Sequence, residues 1–134
     1  MTAHRLVIET SGPGLYEITD RLPSLEGDGV LHLFVRHTSC SLLIQENADP
    51  DVQTDLLAWL GRLVPPADDA SMGYLTHTLE GPDDMPAHIK AALLPTSLSI
   101  PVLDGRPALG TWQGVYLFEH RRRPHRREIV AMLS

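Results

Sequence analysis

The sequence predicts an α+β fold, a largely antiparallel β-sheet or sandwich with two or three inserted helices. Three observations carry that prediction. Six or so short segments have strand character. Turn signals such as Ser11-Gly-Pro-Gly14, Glu26-Gly-Asp-Gly29 and Asp104-Gly105 separate many of them. The helical segments fall irregularly between the strands, whereas a doubly wound parallel sheet needs regular alternation. The length of 134 residues fits one domain, residues 1–134, with enough apolar content to bury a single core.

Taken in order, Arg5–Thr10 is short and β-branched and reads as a strand. Tyr16–Leu25 places Ile18, Leu22 and Leu25 on one helical face, although Pro23 removes a helical donor. Val30–Val35 is the strongest strand and reads as largely buried. Leu42–Ile44 is a second strand close behind it. The clearest helix follows: Asn47 or Asp49 caps it, Pro50 suits its first turn, and Val52, Leu56, Trp59, Leu60 and Leu63 recur at helical spacing. Pro65-Pro66 stops it, and 67–73 is a polar loop. A strand-like segment from Leu75 enters a Gly81-Pro82 turn, and a shorter helix runs from about Pro86 to Leu94. Ser97–Val102, Val115–Phe118 and Glu128–Leu133 are strands, with a hairpin at Asp104-Gly105.

The formal charge of −6 argues against general nucleic-acid binding, which needs surplus Lys and Arg. His120–Arg127 is a basic exception. The single cysteine, Cys40, excludes an internal disulfide and fits a reducing cytoplasm. The start of the chain has no signal-peptide pattern, and no apolar run approaches the roughly 20 residues of a membrane span.

Chemistry concentrates between Leu75 and Lys90, where two histidines, three carboxylates and a lysine surround a turn. Histidine and carboxylate bind divalent metals and move protons near neutral pH. His77 and His88 stand eleven residues apart across that turn. Either they share a metal or they are two surface histidines. His37 follows the buried strand and supplies a third imidazole, and three imidazoles with an open position make a catalytic type of zinc site. The plainer reading is a strand-end residue in a local hydroxyl network with Thr38 and Ser39. Asn47 and Asp49 serve as helix caps, but Glu46 at a strand end is available as a general base or metal ligand. Trp112 offers a stacking face and Gln113 a fixed donor and acceptor, between two glycines that allow close approach. The alternative there is a bulge with a core tryptophan. The arginine run at 121–127 is either a solvated turn or an anion site.

Together, His37-Thr-Ser39, Glu46-Asn47-Ala-Asp-Pro50, His77, Ala87-His88-Ile-Lys90, Ile100-Pro101, Gly105-Arg106, Leu109-Gly-Thr-Trp-Gln-Gly114 and Glu119 resemble, in the same order, the YjbQ-like proteins, the secondary thiamine-phosphate synthase family. The resemblance covers nearly the whole chain. It implies a compact YjbQ-like α+β fold, a homotrimer, and a histidine metal site near subunit interfaces. It also implies a weak thiamine-phosphate synthase activity, a transferase reaction joining a pyrimidine diphosphate to a thiazole phosphate with release of pyrophosphate.

The expectation is therefore a metal-dependent cytoplasmic enzyme acting on a phosphorylated small molecule. His37, His77 and His88 would hold a divalent ion, zinc first, with magnesium or another ion as the alternative. Glu46 would act as base, with Ser39 donating a hydrogen bond. Lys90, Gln113 and Arg121 would contact phosphate and Trp112 the substrate. Asp83 and Asp84 would set the local charge or cap the helix carrying His88. The alternative is a non-catalytic metal- or ligand-binding trimer.

Overall fold

The computed structural model describes residues 2–24 and 26–134. The chain is α+β, with two antiparallel sheets and two α-helices among the described residues. The strands are β1 (Ala3–Thr10), β2 (Gly14–Glu17), β3 (Gly29–Val35), β4 (Cys40–Glu46), β5 (Ser97–Leu103), β6 (Arg106–Pro107), β7 (Gln113–Glu119) and β8 (His125–Leu133). The helices α1 (Pro50–Leu63) and α2 (Asp84–Leu93) fall between β4 and β5.

The larger sheet has the order β1-β8-β3-β5-β6 and the smaller β2-β7-β4. Their inner faces share one core. Leu31, Leu33, Val35, Ile100, Val102, Ile129 and Ala131 meet Cys40, Leu42, Val115 and Leu117. Alternation along β7 explains the layering, because successive side chains of a strand point to opposite faces. Val115 and Leu117 enter that core, while Tyr116 and Phe118 are buried on the other face. There α1 covers the sheet: Gln53 donates to the Tyr116 hydroxyl (3.3 Å), which donates to the Glu46 carbonyl (3.2 Å).

Most elements form where the sequence places them, with four differences. Tyr16–Leu25 is not a helix. It splits into the end of β2 and a 3-10 turn at Thr19–Arg21, and Leu25 lies outside the described residues. Pairing of Leu15 and Tyr16 with Phe118 and Leu117 outweighs the weak helical pattern. Second, β3 is buried on one face only: Leu31, Leu33 and Val35 are inside, His32 and Phe34 outside. Third, β4 runs beyond Leu42–Ile44 at both ends, from Cys40 to Glu46, and pairs with β7 in the smaller sheet. Fourth, 75–78 has no strand structure, and α2 starts at Asp84, two residues before Pro86. Proline needs no backbone donor in a first turn, so Pro86 sits there without strain.

The Asp104-Gly105 hairpin forms as read. Both residues have positive φ (51° and 79°), and Leu103 pairs with Arg106. Glycine takes that backbone freely, and Asp is among the few others that tolerate it.

Candidate metal centre

The first turn of α2 organises the site. Asp84 and His88 are four residues apart, so they share one helix face. Asp84 is 3 % exposed, and its carboxylate is held from both sides. Arg121, just beyond β7, donates from Nη1 to Oδ1 (2.6 Å) and from Nε to Asp83 Oδ2 (2.9 Å). Its Nη2 also donates to the Glu80 carbonyl (3.3 Å), which pins the loop before α2. The other oxygen, Asp84 Oδ2, faces two imidazoles. His77 Nε2 lies 2.6 Å away and His88 Nε2 3.3 Å away. One ligand atom from each of His77, Asp84 and His88 falls within 4.8 Å of the others.

The protonation pattern decides what this group can hold. His88 Nδ1 lies 2.8 Å from the Thr38 carbonyl, which can only accept, so Nδ1 carries the proton. In neutral His88, Nε2 is then a bare lone pair pointing at a carboxylate oxygen. Two acceptors in that position need a cation between them, either a proton or a metal. Metal-ligating histidines commonly donate their other nitrogen to a carbonyl in this way. Burial alone would raise the Asp84 carboxyl, but the His77 hydrogen bond and the Arg121 charge hold it below the usual carboxylate range. Two imidazoles and one ionised carboxylate make a fitting donor set for a divalent ion.

The residues expected from sequence fall into separate places. His77 and His88 come together. His37 lies beside His88 in the wall of a hollow of about 250 Å³, outside the group of three ligand atoms. Its Nε2 accepts the Glu128 backbone N–H (2.8 Å), which occupies that nitrogen. Burial, then Arg127, pushes its pKa down. Ser39 is buried, and Arg127 Nη2 donates to its hydroxyl (3.0 Å) and its carbonyl (3.2 Å). Arg121 is committed to Asp83 and Asp84, so it positions Asp84 and is not a free phosphate contact. Lys90 lines a different cavity, with Asp83, Pro86 and His120.

Glu46, Trp112 and Gln113 lie at the far end of the small sheet. In the β4–β7 register Glu46 pairs with Gln113, while Cys40 pairs with Glu119 at the end nearer the site. Six residues of strand separate the two ends by about 20 Å. Glu46 accepts the Asp49 N–H (2.7 Å) and shapes the entrance to α1. Gln113 Oε1 accepts the Gly110 N–H (2.7 Å), and Trp112 is 63 % exposed rather than a core tryptophan. A Cβ on Gly114 would lie 2.7 Å from Glu17 Oε2 and 3.2 Å from Asn47 Cβ, so this glycine serves close packing within the chain.

Asp84 is the candidate ligand that sequence reading missed. Its signal was the i, i+4 spacing to His88, hidden by starting the helix at Pro86. The buried pair Glu119–Arg127 was missed as well. Arg127 Nε donates to Glu119 Oε1 (2.7 Å), and Thr10 donates to the same oxygen (2.6 Å).

A family model described as UPF0047 protein YjbQ-like matches residues 4–134. The chain belongs to the YjbQ-like UPF0047 family. It is 49 % identical to a UPF0047 protein of Synechocystis over 96 % of this chain and 88 % of that one. It is 41 % identical to the UPF0047 protein YjbQ of Escherichia coli O157:H7 over 96 % and 94 %. Among solved structures, a conserved hypothetical protein from Thermus thermophilus superposes with TM-score 0.85 at 35 % identity, covering 98 % of this chain and 99 % of that chain. The YjbQ-like fold is thus the frame that brings His77 and the first turn of α2 together.

Proposed function

We propose that this YjbQ-like protein is a divalent-metal-dependent enzyme acting on a phosphorylated small molecule, with the ion held by His77, Asp84 and His88. The observation that carries the reading is the lone pair of His88 Nε2 facing Asp84 Oδ2 while Thr38 holds the proton on Nδ1. A bound ion would supply Lewis-acid polarisation of a phosphoryl oxygen and neutralise a departing pyrophosphate. Arg121 holds the carboxylate in its ionised form, and Thr38 fixes the His88 tautomer. Zinc suits two imidazoles and a carboxylate, and magnesium fits an all-oxygen set better. The thiamine-phosphate synthase-like transfer implied by the family resemblance is one candidate reaction. Arg123 offers a positive charge for a phosphorylated substrate, in the wall of a hollow that Glu80, Arg121 and His125 also line.

The test is metal content of purified protein by mass spectrometry. Wild type should hold close to one ion per chain, and His77→Ala and His88→Ala should lose it. Equal metal in both variants and wild type overturns the assignment.

The placement of Glu46 favours a second reading, a non-catalytic metal-binding assembly. Its carboxylate serves the α1 entrance, about 20 Å along the sheet from the strand end nearer the imidazoles of the same chain. Turnover of a pyrimidine diphosphate with a thiazole phosphate separates the two. If Glu46→Gln abolishes turnover and keeps the metal, Glu46 reaches the site from a neighbouring copy and the enzyme reading stands. If wild type shows no turnover, the binding reading stands.

Assembly as a homotrimer belongs to the same proposal. Phe34, Trp59, Leu63, Tyr74, Leu93 and Trp112 are large apolar side chains more than half exposed, which supports burial between copies. A cytoplasmic location accords with Cys40, a free thiol whose pKa burial pushes up to about 12. Among the described residues, no helix is long and apolar enough to cross a membrane.

A further inference from the structure

A cavity of about 210 Å³ lies on the other side of α2 from His88. Lys90, two residues further on, is rotated about 200° around the helix from His88 and lines this second space. The end of α1 and the segment after β7 close it.

Three features set its chemistry. His120 is 3 % exposed, and its Nδ1 is a buried polar atom without any hydrogen-bond partner. Such atoms are rare in folded proteins and call for a missing partner. The other nitrogen, Nε2, lies 3.0 Å from the Ser41 hydroxyl. Burial and the Lys90 charge keep the ring neutral, with a pKa near 3, so it carries one N–H. When Ser41 donates to Nε2, that N–H sits on Nδ1 as an unused donor.

The second feature is unpaired charge. Among the described residues neither Lys90 nor the Arg122 side chain makes an ion pair. The one carboxylate in the wall, Asp83, is already engaged through Oδ2 by Arg121 Nε and the Arg122 backbone N–H (2.9 Å each). The third is the apolar remainder, including Val64 and Pro86.

We propose that this cavity binds a small organic anion through a phosphate or carboxylate head, with His120 Nδ1–H, Lys90 and Arg122 as its donors. The apolar body of the ligand rests on Val64 and Pro86. Anion binding selects the Nδ1–H tautomer of His120 and relieves the repulsion between the two cations. The site stands independently of the metal group, because none of His77, Asp84 and His88 lines it.

The test titrates the full chain with phenyl phosphate, benzoate and inorganic phosphate, following the His120 ring nitrogens by NMR. We expect saturable shifts at His120, and the tighter of the two aromatic anions identifies the head group. Lys90→Met, which keeps the aliphatic stem, and Arg122→Ala should each weaken binding about tenfold, the scale of one charged hydrogen bond. Both should keep wild-type circular dichroism and metal content, and His77→Ala should keep anion affinity. Unchanged affinity in both cation variants overturns the proposal. So does loss of anion binding in His77→Ala, or no saturation by about 10 mM, weaker than the millimolar range of a weak specific site.

Discussion

Asp84 works as a carboxylate because three groups surround it, and each can be tested separately. Arg121 neutralises one oxygen and leaves the other to the imidazoles. Arg121→Met should weaken metal affinity by about 10–100-fold while His77 and His88 stay in place, as expected for a group that orients a ligand. Competition with a chromophoric chelator measures it, and unchanged affinity would remove Arg121 from that role. Glu119 is the second carboxylate held this way. Burial raises its pKa, but Arg127, Thr10 and the backbone N–H groups of His120 and Arg121 together bring it below the usual range. Glu119→Gln would leave Arg127 buried at 3 % exposure without its counter-charge. It should cost about 3–5 kcal/mol, read from urea denaturation. His120 makes stability depend on pH. Its folded pKa, about 3, lies below the unfolded value, so on acidification the unfolded chain takes up the proton first. Stability is then flat above about pH 7 and falls as pH drops from there towards 3. The loss is about 1 kcal/mol by pH 5.5. His37 is shifted the same way and adds to it. His120→Gln should therefore flatten part of the slope, and an unchanged slope would show that His120 is not the titrating group.

At the scale of elements, the site depends on where α2 begins. A helix starting at Asp84 puts Asp84 and His88 on one face, and Ala87 and Ala91 are buried against the small sheet. Ala87 is fully buried, so no room exists for a larger side chain. Ala87→Leu should push α2 outwards and cost about 1–3 kcal/mol by overpacking. It should also loosen the metal, because His88 would leave the Thr38 carbonyl. Helix α1 is anchored differently. Asp49 caps it by accepting the Asp51 N–H (2.9 Å), while Trp59 and Leu63 on its apolar stripe remain exposed. Asp49→Ala should cost about 1 kcal/mol without touching metal content, which separates a local helix effect from a site effect.

On the scale of the whole molecule, the exposed apolar side chains predict an assembly. Sedimentation should report about three times the 14.8 kDa of one chain, and a monomer at micromolar concentration would reject it. The amino-acid sequence alone was enough for the α+β class, most strands, both helices and the Asp104-Gly105 hairpin. Each of these rests on local chemistry: alternation, helical spacing, caps and positive-φ turns. His77 and His88 were legible too, since their residue types and the intervening turn are neighbours in the chain. The tertiary structure decided the rest. Sheet membership put β4 beside β7, and that register carried Glu46 and Gln113 about 20 Å from the end of the sheet near the imidazoles. Arg121 and Arg127 read as part of a solvated turn or an anion site, and became partners of Asp84 and Glu119 only when the sheets closed over them. In the sequence, residues 75 to 90 offered two imidazoles, and His37 was expected to supply the third ligand. That stretch itself holds all three proposed ligands, His77, Asp84 and His88, but the groups that orient them, Thr38 and Arg121, come from distant parts of the chain. Ligand types are written locally, whereas the proton positions and charges that make them ligands depend on burial and long-range contact.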